Sequence, residues 1–190
     1  MPDATALLAL WNGVAPEHEA EYNRWHAEEH VPERLTVPGM QWARRYAALW
    51  PQRGPRYLTL YGLRDASVLA EDAYQRLLRQ PTPWSARMRP FLCDVSRWVC
   101  TLAAPHAGPQ GSWLQLHTFD EAAPAPEQAD DLLAERLLDA APLPWLQGGQ
   151  RLAVDGRWLV ARGMGRQPVA LAPNAMVYAA LPVGGPEPGV

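Results

Sequence analysis

Lysine is absent from this chain of 190 residues, and all 17 of its basic side chains are arginines. A Schiff base formed through a lysine amine is therefore excluded as a catalytic route. Cysteine is nearly absent too, with only Cys93 and Cys100 present. Their spacing along a predicted strand points the two side chains to opposite faces, so we expect no disulfide between them.

The sequence also has no basic cluster and no long apolar run. A net charge of −3 without such a cluster argues against a nucleic acid partner. The apolar runs are too short to span a bilayer, and the first residues lack the pattern of a secretion signal. No phosphate-binding glycine loop, nucleotide fingerprint or paired-cysteine motif occurs. We therefore expect a cytoplasmic protein without a cofactor, with neither nucleic acid nor membrane as partner.

A dense group of ionisable and aromatic side chains lies on a helix predicted over residues 17–31. At about 100° per residue, Tyr22 and Trp25 fall on one face of this helix. His26 and Glu29 fall on the same face, which a surface helix normally reserves for apolar side chains. We therefore predict that the helix directs these polar groups into a pocket.

Two other interpretations of this helix stay open. In one, the aromatic residues belong to the core and the polar ones solvate a frayed last turn. In the other, His30 lies four residues after His26 and joins it as a metal ligand. Pro32 is predicted to end the helix, because its ring excludes the carbonyl four residues back. We favour the pocket and predict no metal site.

The first hundred residues follow the order strand, helix, strand, strand, helix, strand. Strands are predicted at 5–14, 40–49, 56–63 and 93–102, and helices at 17–31 and 65–79. This is the split βαβ order of ferredoxin-like domains.

A similar pattern begins again in the second half of the chain. Strands are predicted at 112–119, 151–154, 157–162 and 175–182, with a helix at 127–141. The segment 163–174 is too rich in glycine and proline to form the second helix.

We therefore predict the fold class α+β, with tandem ferredoxin-like repeats, the second one degenerate, packed sheet to sheet as an α+β barrel. Residues 1–103 form the repeat that carries the site, 104–111 a linker, 112–183 the degenerate repeat and 184–190 a flexible tail. Because the second repeat can cover the sheet of the first, we expect a monomer or a weak homodimer.

Three segments carry a resemblance to a known family: Tyr22–Leu35, Val37–Met40 and Arg44–Tyr46. Together they resemble the helix-to-strand signature of EthD-like proteins in the dimeric α+β barrel superfamily. The resemblance covers about residues 5 to 102, and it implies that small hydrophobic substrates bind in pockets between sheet and helices.

The same resemblance implies that His26 and His30 match the family's histidines, with Glu29 and Arg44 near them. Its members include monooxygenases, dehydratases, decarboxylases and proteins of unassigned activity. The resemblance therefore implies a fold and a pocket more strongly than a reaction.

These observations predict a small cofactor-independent enzyme of the lyase, dehydratase, isomerase or monooxygenase type. Its expected substrate is a small hydrophobic carbonyl compound, aromatic or polyketide-like. His26, Glu29 and His30 would transfer a proton, and Arg44 would stabilise the developing oxyanion. Aromatic side chains are predicted to bind the substrate: Trp11, Tyr22, Trp25, Trp42, Tyr46 and Tyr61.

Two alternatives accompany the enzyme hypothesis. The first is a non-catalytic protein of a catabolic or biosynthetic pathway, which binds or stabilises a small molecule in the same pocket. The second is a haem protein with His26, His30 or His117 as axial ligand. His117 itself is expected to be structural or peripheral, because the helix predicted after it carries no acid or base on its apolar face.

Overall fold

Eight antiparallel strands form a single sheet that closes on itself as a barrel. A computed structural model describes residues 3–49, 54–121, 125–140, 143–145, 154–168 and 175–183. The strands are β1 (Ala4–Val14), β2 (Met40–Ala47), β3 (Tyr57–Leu63), β4 (Leu92–His106), β5 (Trp113–Phe119), β6 (Leu132–Arg136), β7 (Trp158–Met164) and β8 (Met176–Leu181). Their order around the barrel is β1-β3-β2-β8-β5-β7-β6-β4, and β4 pairs back onto β1.

The interior of the barrel is one hydrophobic core to which all eight strands contribute. Along β1, Leu7, Ala9 and Trp11 point into this core, while Ala6 and Leu8 pack under helices on the outside. Alternation of side chains along a strand produces both layers. The strand is apolar on both faces because both faces are covered, as the sequence predicted.

Short helices lie against the outer face of the strands from the first half. They are α1 (Glu19–Trp25), a π-helical turn (His26–His30), α2 (Val31–Leu35), α3 (Asp72–Arg79) and α4 (Pro83–Met88). Short 3₁₀ turns occur at Pro16–His18, Ala66–Ala70 and Arg89–Phe91. The side chain of Asp65 accepts the backbone N–H of Ser67 and so caps the start of the second helical region. That region is split at Glu71, whose backbone is extended.

The predicted fold class, tandem ferredoxin-like repeats packed sheet to sheet as an α+β barrel, is wrong. The part of the chain that the structure describes forms one closed, eight-stranded antiparallel β-barrel with little helix. Strands β2 and β8 are hydrogen-bonded to each other, and so are β4 and β6, so the two halves share a continuous ladder. Pairing of the outer strands satisfies backbone groups that two separate sheets would leave at open edges.

The prediction of a helix at 127–141 is also wrong. Strand β6 occupies its centre, with Leu132 and Ala134 in the barrel core and Leu133 between them on the outside. The apolar residues of this segment fit a helical period as well as a strand. Pairing with β4 and β7 decides the outcome, because closing the barrel overrides local helix propensity.

Most predicted strands lie where the sequence placed them, with shifted ends. The exception in length is β4, which continues to His106 and so includes the first residues of the predicted linker. The strand predicted at 151–154 falls mostly on 151–153, which lie outside the described residues, as does the predicted tail at 184–190. Cys93 is exposed, Cys100 is buried, and both are free thiols.

Among the described residues, no helix is both long enough and apolar enough to cross a membrane.

Gly62 in β3 lies against the indole of Trp42, and a β-carbon at this position would come within 2.1 Å of the ring. The ring is held in place, because Trp42 is buried and its Nε1 donates to the carbonyl of His106 at 3.1 Å. Gly62→Ala should therefore lower the free energy of unfolding by about 1–3 kcal/mol in urea denaturation, as overpacking of cores does. Gly165→Ala is the matched control, because no atom lies within 4 Å of its added carbon. Equal stability of the two variants would contradict this packing.

Candidate functional site

A π-helical turn distorts the helical segment that carries the predicted site. The N–H of Val31 bonds to the carbonyl of His26, five residues back, where an α-helix would use the residue four back. Pro32 lacks an N–H and could not complete an α-helical bond to Glu28. The wider turn accommodates the proline, and the helix continues as α2 to Leu35. The prediction that Pro32 ends the helix is therefore wrong.

This turn, together with β1, α3 and the start of β4, encloses a pocket that we call the histidine pocket. Its polar lining residues are Asn12, Tyr22, His26, His30, Arg34, Tyr74 and Arg89. Its apolar lining residues are Leu10, Trp11, Trp25, Leu78, Leu92, Val95, Leu143 and Trp145.

The histidine pocket has an interior volume of about 50 Å³. A water molecule needs roughly 10–15 Å³ by this kind of measure, and a cavity of about 150 Å³ holds benzene. The interior thus has room for a few waters or a compact polar group. An aromatic ring would not fit into it without rearrangement.

His26 and His30 lie side by side in this pocket, with ring centroids 4.9 Å apart and planes tilted by 38°. His26 is buried, and His30 is partly exposed. The Nδ1 atom of each ring is buried and has no hydrogen-bond partner among the described residues. Buried polar atoms in proteins are usually paired, so these two atoms call for a ligand or water.

Burial holds the pKa of both imidazoles well below the usual range of histidine. For His26, the positive charges of Arg45 and Arg34 add to the effect of burial. For His30, Arg34 acts next after burial, followed by His26. Both rings are therefore neutral at pH 7, in the form that can accept a proton or a hydrogen bond.

The charged groups that line the histidine pocket are all cationic. Arg34 is 5% exposed and pairs through Nη1 with Glu33 at 2.8 Å. Arg89 donates to the carbonyls of Leu78 and Leu77, at 3.1 and 3.3 Å. No aspartate or glutamate is among the described residues of the lining. With one carboxylate next to two guanidinium groups, the site carries an excess positive charge.

Asn12 and Tyr22 connect the helix to the first strand at the side of the pocket. The hydroxyl of Tyr22 donates to Oδ1 of Asn12 at 3.0 Å, and both residues are buried. Burial raises the pKa of the Tyr22 hydroxyl above its usual range. Tyr22 is thus a neutral donor that is already engaged, and it contributes shape and rigidity to the pocket.

Glu29, predicted to share a helix face with His26, is not among the described lining residues of the histidine pocket. It accepts hydrogen bonds from Thr82 Oγ1 at 2.6 Å and Ser85 Oγ at 3.3 Å, both on the neighbouring helical segment. The hydroxyl of Ser85 also accepts the Nε1–H of Trp25 at 3.2 Å. The π-helical turn changes the angle between successive side chains, so the α-helical spacing that placed Glu29 beside His26 does not apply.

Arg44 also lies outside the residues that line the histidine pocket. It shares a strand face with Trp42 and Tyr46 and places its guanidinium 6.0 Å from the centre of the Trp42 ring. Its Nη1 donates to the carbonyl of Ala43 at 3.0 Å.

The aromatic residues predicted to bind substrate divide into two groups. Trp11, Tyr22 and Trp25 line the histidine pocket, although the ring of Trp11 packs in the barrel core, with its centroid 5.5 Å from that of Trp98. Trp42 and Tyr46 belong to the barrel core instead, and Tyr61 is buried between the barrel and the helices. The alternation of side chains along β2 and β3 does not indicate which face of these strands lines the pocket, because both faces are buried.

Asn12, Arg34 and Arg89 also line the pocket, although they were not predicted to do so. Arg34 lies one helical turn after His30, and this spacing was a signal that could have been used. Arg89 had no such signal, because it reaches the pocket from a segment nearly sixty residues away in sequence.

Within the residues described, no group of three histidine, cysteine or acidic side chains could hold a metal ion. A zinc site normally has at least three protein ligands, so the pair His26 and His30 is incomplete as a metal centre. His117 lines a different pocket. Its Nε2 atom lies 3.0 Å from the Nε2 atom of Gln115.

The lowered pKa values of His26 and His30 make stability depend on pH. Unfolded histidine has a pKa of about 6.5. Because the folded pKa is lower, the unfolded state binds more protons below that pH. The stabilisation is complete above pH 6.5 and should fall toward pH 5 by up to about 1.4 kcal/mol per pH unit for each ring.

Urea denaturation of the wild type between pH 7.5 and pH 5 (roughly the histidine range) measures the slope of the free energy of unfolding against pH. The double variant His26→Ala/His30→Ala should have a clearly shallower one. The same slope in both proteins would mean that the two rings are not the source.

No protein-family model matches this chain, and no curated protein matches it either. The resemblance to EthD-like proteins therefore stays a prediction based on the sequence segments named above.

Proposed function

We propose that the protein is a small cofactor-independent enzyme that moves a proton on a compact carbonyl compound in the histidine pocket. The observation that carries the proposal is the pair of neutral imidazoles whose buried Nδ1 atoms have no partner among the described residues. Catalytic acids and bases are commonly groups of this kind, with perturbed pKa values in a cleft.

The proposed step is removal of a proton from the carbon next to the carbonyl group. A neutral imidazole, His26 or His30, takes the proton, and the electron pair of the C–H bond moves to the carbonyl oxygen to form an enolate. Guanidinium groups at the site stabilise the negative charge on that oxygen, as donors placed where charge develops do. Arg34 and Arg89 take the role that the sequence assigned to Arg44. His30, and not Glu29, is the group beside His26 in the pocket.

The positive charge of the pocket bears on the strength of the base. It lowers the affinity of an empty site for a proton, because an imidazolium would lie near Arg34. Development of an enolate would offset that charge. The imidazole thus becomes a stronger base as the reaction proceeds, which favours the transition state over the ground state.

A non-catalytic binding protein is the second candidate. The lowered pKa of both imidazoles favours it, because a weakly basic ring accepts a hydrogen bond well and a proton poorly. In this candidate the ligand is held by the same groups and leaves unchanged.

Exchange of α-protons for deuterium separates the two candidates without knowledge of the full reaction. Pyruvate, acetone, acetoacetate and acetaldehyde would each be incubated with the protein in D₂O and followed by proton NMR. The enzyme proposal expects exchange in at least one compound well above the buffer rate. Binding without accelerated exchange in any compound would favour the second candidate.

We further propose that the protein acts in the cytoplasm as a monomer or a weak homodimer. Closure of the sheet supports this, because β4 returns to β1 and the described strands offer no long open edge for a partner. Light scattering would test it, and a tight dimer at micromolar concentration would contradict it.

A further inference from the structure

We propose that the histidine pocket selects a short-chain carboxylate, whose anionic head binds between Arg34 and Arg89 and whose apolar end contacts the leucine and valine side chains. The proposal rests on the proposed function in that the same pocket is used, and it names the class of substrate.

The charge of the lining is the first support. Two guanidinium groups line the pocket, and none of the described lining residues is acidic. Glu33, which pairs with Arg34, supplies one compensating charge. Both histidines are neutral, so among the described lining residues and Glu33 the uncompensated charge is that of one guanidinium. A single carboxylate would balance it.

The hydrogen-bond donors of the two arginines are the second support. A guanidinium has five N–H donors. Arg34 uses Nη1 for Glu33, and Arg89 uses Nη1 and Nη2 for the two carbonyls at the end of α3. Among the described residues these are their only hydrogen-bond partners. The remaining donors are available to a planar anion, which arginine binds well.

Fixation of Arg89 is the third support. The carbonyls of Leu77 and Leu78 hold its guanidinium, and the ring of Trp145 lies 5.6 Å from it. Burial lowers the pKa of Arg89, and the charge of Arg34 acts in the same direction. Two cations that destabilise each other are expected to bind an anion more strongly than either would alone.

Size and polarity favour a short carboxylate over other anions. The interior volume of about 50 Å³ is well below what an aromatic ring occupies. Leu10, Leu92 and Val95 present apolar surface that a phosphate or sulfate, polar on all sides, would not use.

The test compares carboxylates with their neutral amides. Formate, acetate, propionate, butyrate and benzoate, together with acetamide, propionamide and inorganic phosphate, would be titrated into the full-length protein and followed by calorimetry and ligand-observed NMR. Hydrogen bonds to a charged group predict at least a tenfold preference, roughly, for propionate over propionamide. Equal affinity for acid and amide would overturn the proposal. Tighter binding of phosphate, or no binding of any carboxylate, would overturn it too.

Variants of Arg89 locate the binding site. Arg89→Gln should weaken propionate about tenfold or more and leave propionamide nearly unchanged. Arg157→Gln is the matched control, because it removes the same charge from an exposed pair with Glu135, which lies on β6. Arg89→Lys keeps the charge without the forked donors of a guanidinium, so it should bind propionate more tightly than Arg89→Gln and less tightly than the wild type, which guards against loss of fold in the glutamine variant. Equal losses in Arg89→Gln and Arg157→Gln would place the anion elsewhere.

Failure of this inference differs from failure of the proposed function. Carboxylate selectivity without any accelerated exchange of α-protons would support the anion site and reject catalysis. Accelerated exchange of α-protons on neutral ketones without carboxylate selectivity would support catalysis and reject the anion site.

Discussion

Replacing His26 with alanine should slow α-proton exchange in a bound carbonyl compound by about two to four orders of magnitude, the usual contribution of a positioned acid or base. His26 is the more deeply buried of the two imidazoles, and no described residue could replace it as a proton acceptor next to His30. His30→Ala should have a similar effect. The double variant should lose little more than either single one, because residues that act as a unit show non-additive losses.

His117→Ala is the matched control for these variants. It removes an imidazole from the second half of the barrel, where the ring lines another pocket. Exchange rates should match those of the wild type. Glu29→Gln should also leave the rate nearly unchanged, since Glu29 bonds to Thr82 and Ser85. Wild-type exchange in His26→Ala, or loss of exchange in His117→Ala, would contradict the assignment of the site.

Asp131→Ala should lower the free energy of unfolding by about 3 kcal/mol or more, the cost of breaking a buried ion pair. The side chain of Asp131 is fully buried and accepts both Nε and Nη2 of Arg162 at 2.7 Å. It also accepts the backbone N–H groups of Glu127 and Gln128, each at 3.0 Å. The bond to Arg162 holds the pKa of Asp131 below its usual value. Removal of the carboxylate leaves the guanidinium and two amides without this partner.

Glu127→Ala tests whether the stability comes from the buried bonds of Asp131 or from any ion pair with Arg162. Glu127 also pairs with Arg162, at 3.0 Å, but its side chain is 79% exposed. Exposed pairs contribute about 0–1 kcal/mol, so this variant should be close to the wild type in urea denaturation. A loss in Glu127→Ala as large as that in Asp131→Ala would mean that the buried bonds are not the source of stability.

The strands of the first half could be predicted because their residues are apolar in patterns that only a covered sheet satisfies. The closure of the barrel could not be predicted in the same way. It depends on pairing between β2 and β8 and between β4 and β6, which are far apart in sequence. Local pattern contains no information on such pairs. For this reason the second half was predicted to carry a helix at the position of β6.

The candidate site could likewise be predicted only where it depends on local helical spacing. The helical spacing of Tyr22, Trp25 and His26 was enough to predict that they line a pocket together. The position of Glu29 depended on the type of helical turn, and residues His26–His30 form a π-helical turn that the α-helical period does not describe. Arg89 joins the pocket through tertiary packing alone.

A pH titration of the imidazole C–H signals by NMR, with and without propionate, tests the account most directly. The chain has 5 histidines, and single substitutions assign the signals of His26 and His30. Without ligand, both rings should stay neutral at pH values well below the usual pKa range of histidine. Propionate should shift their signals and raise the pKa of both, because a bound anion offsets the charge of Arg34 and Arg89. The proposed site would be contradicted if both rings titrated like exposed histidines. It would also be contradicted if propionate shifted the signals of other histidines and left those of His26 and His30 unchanged.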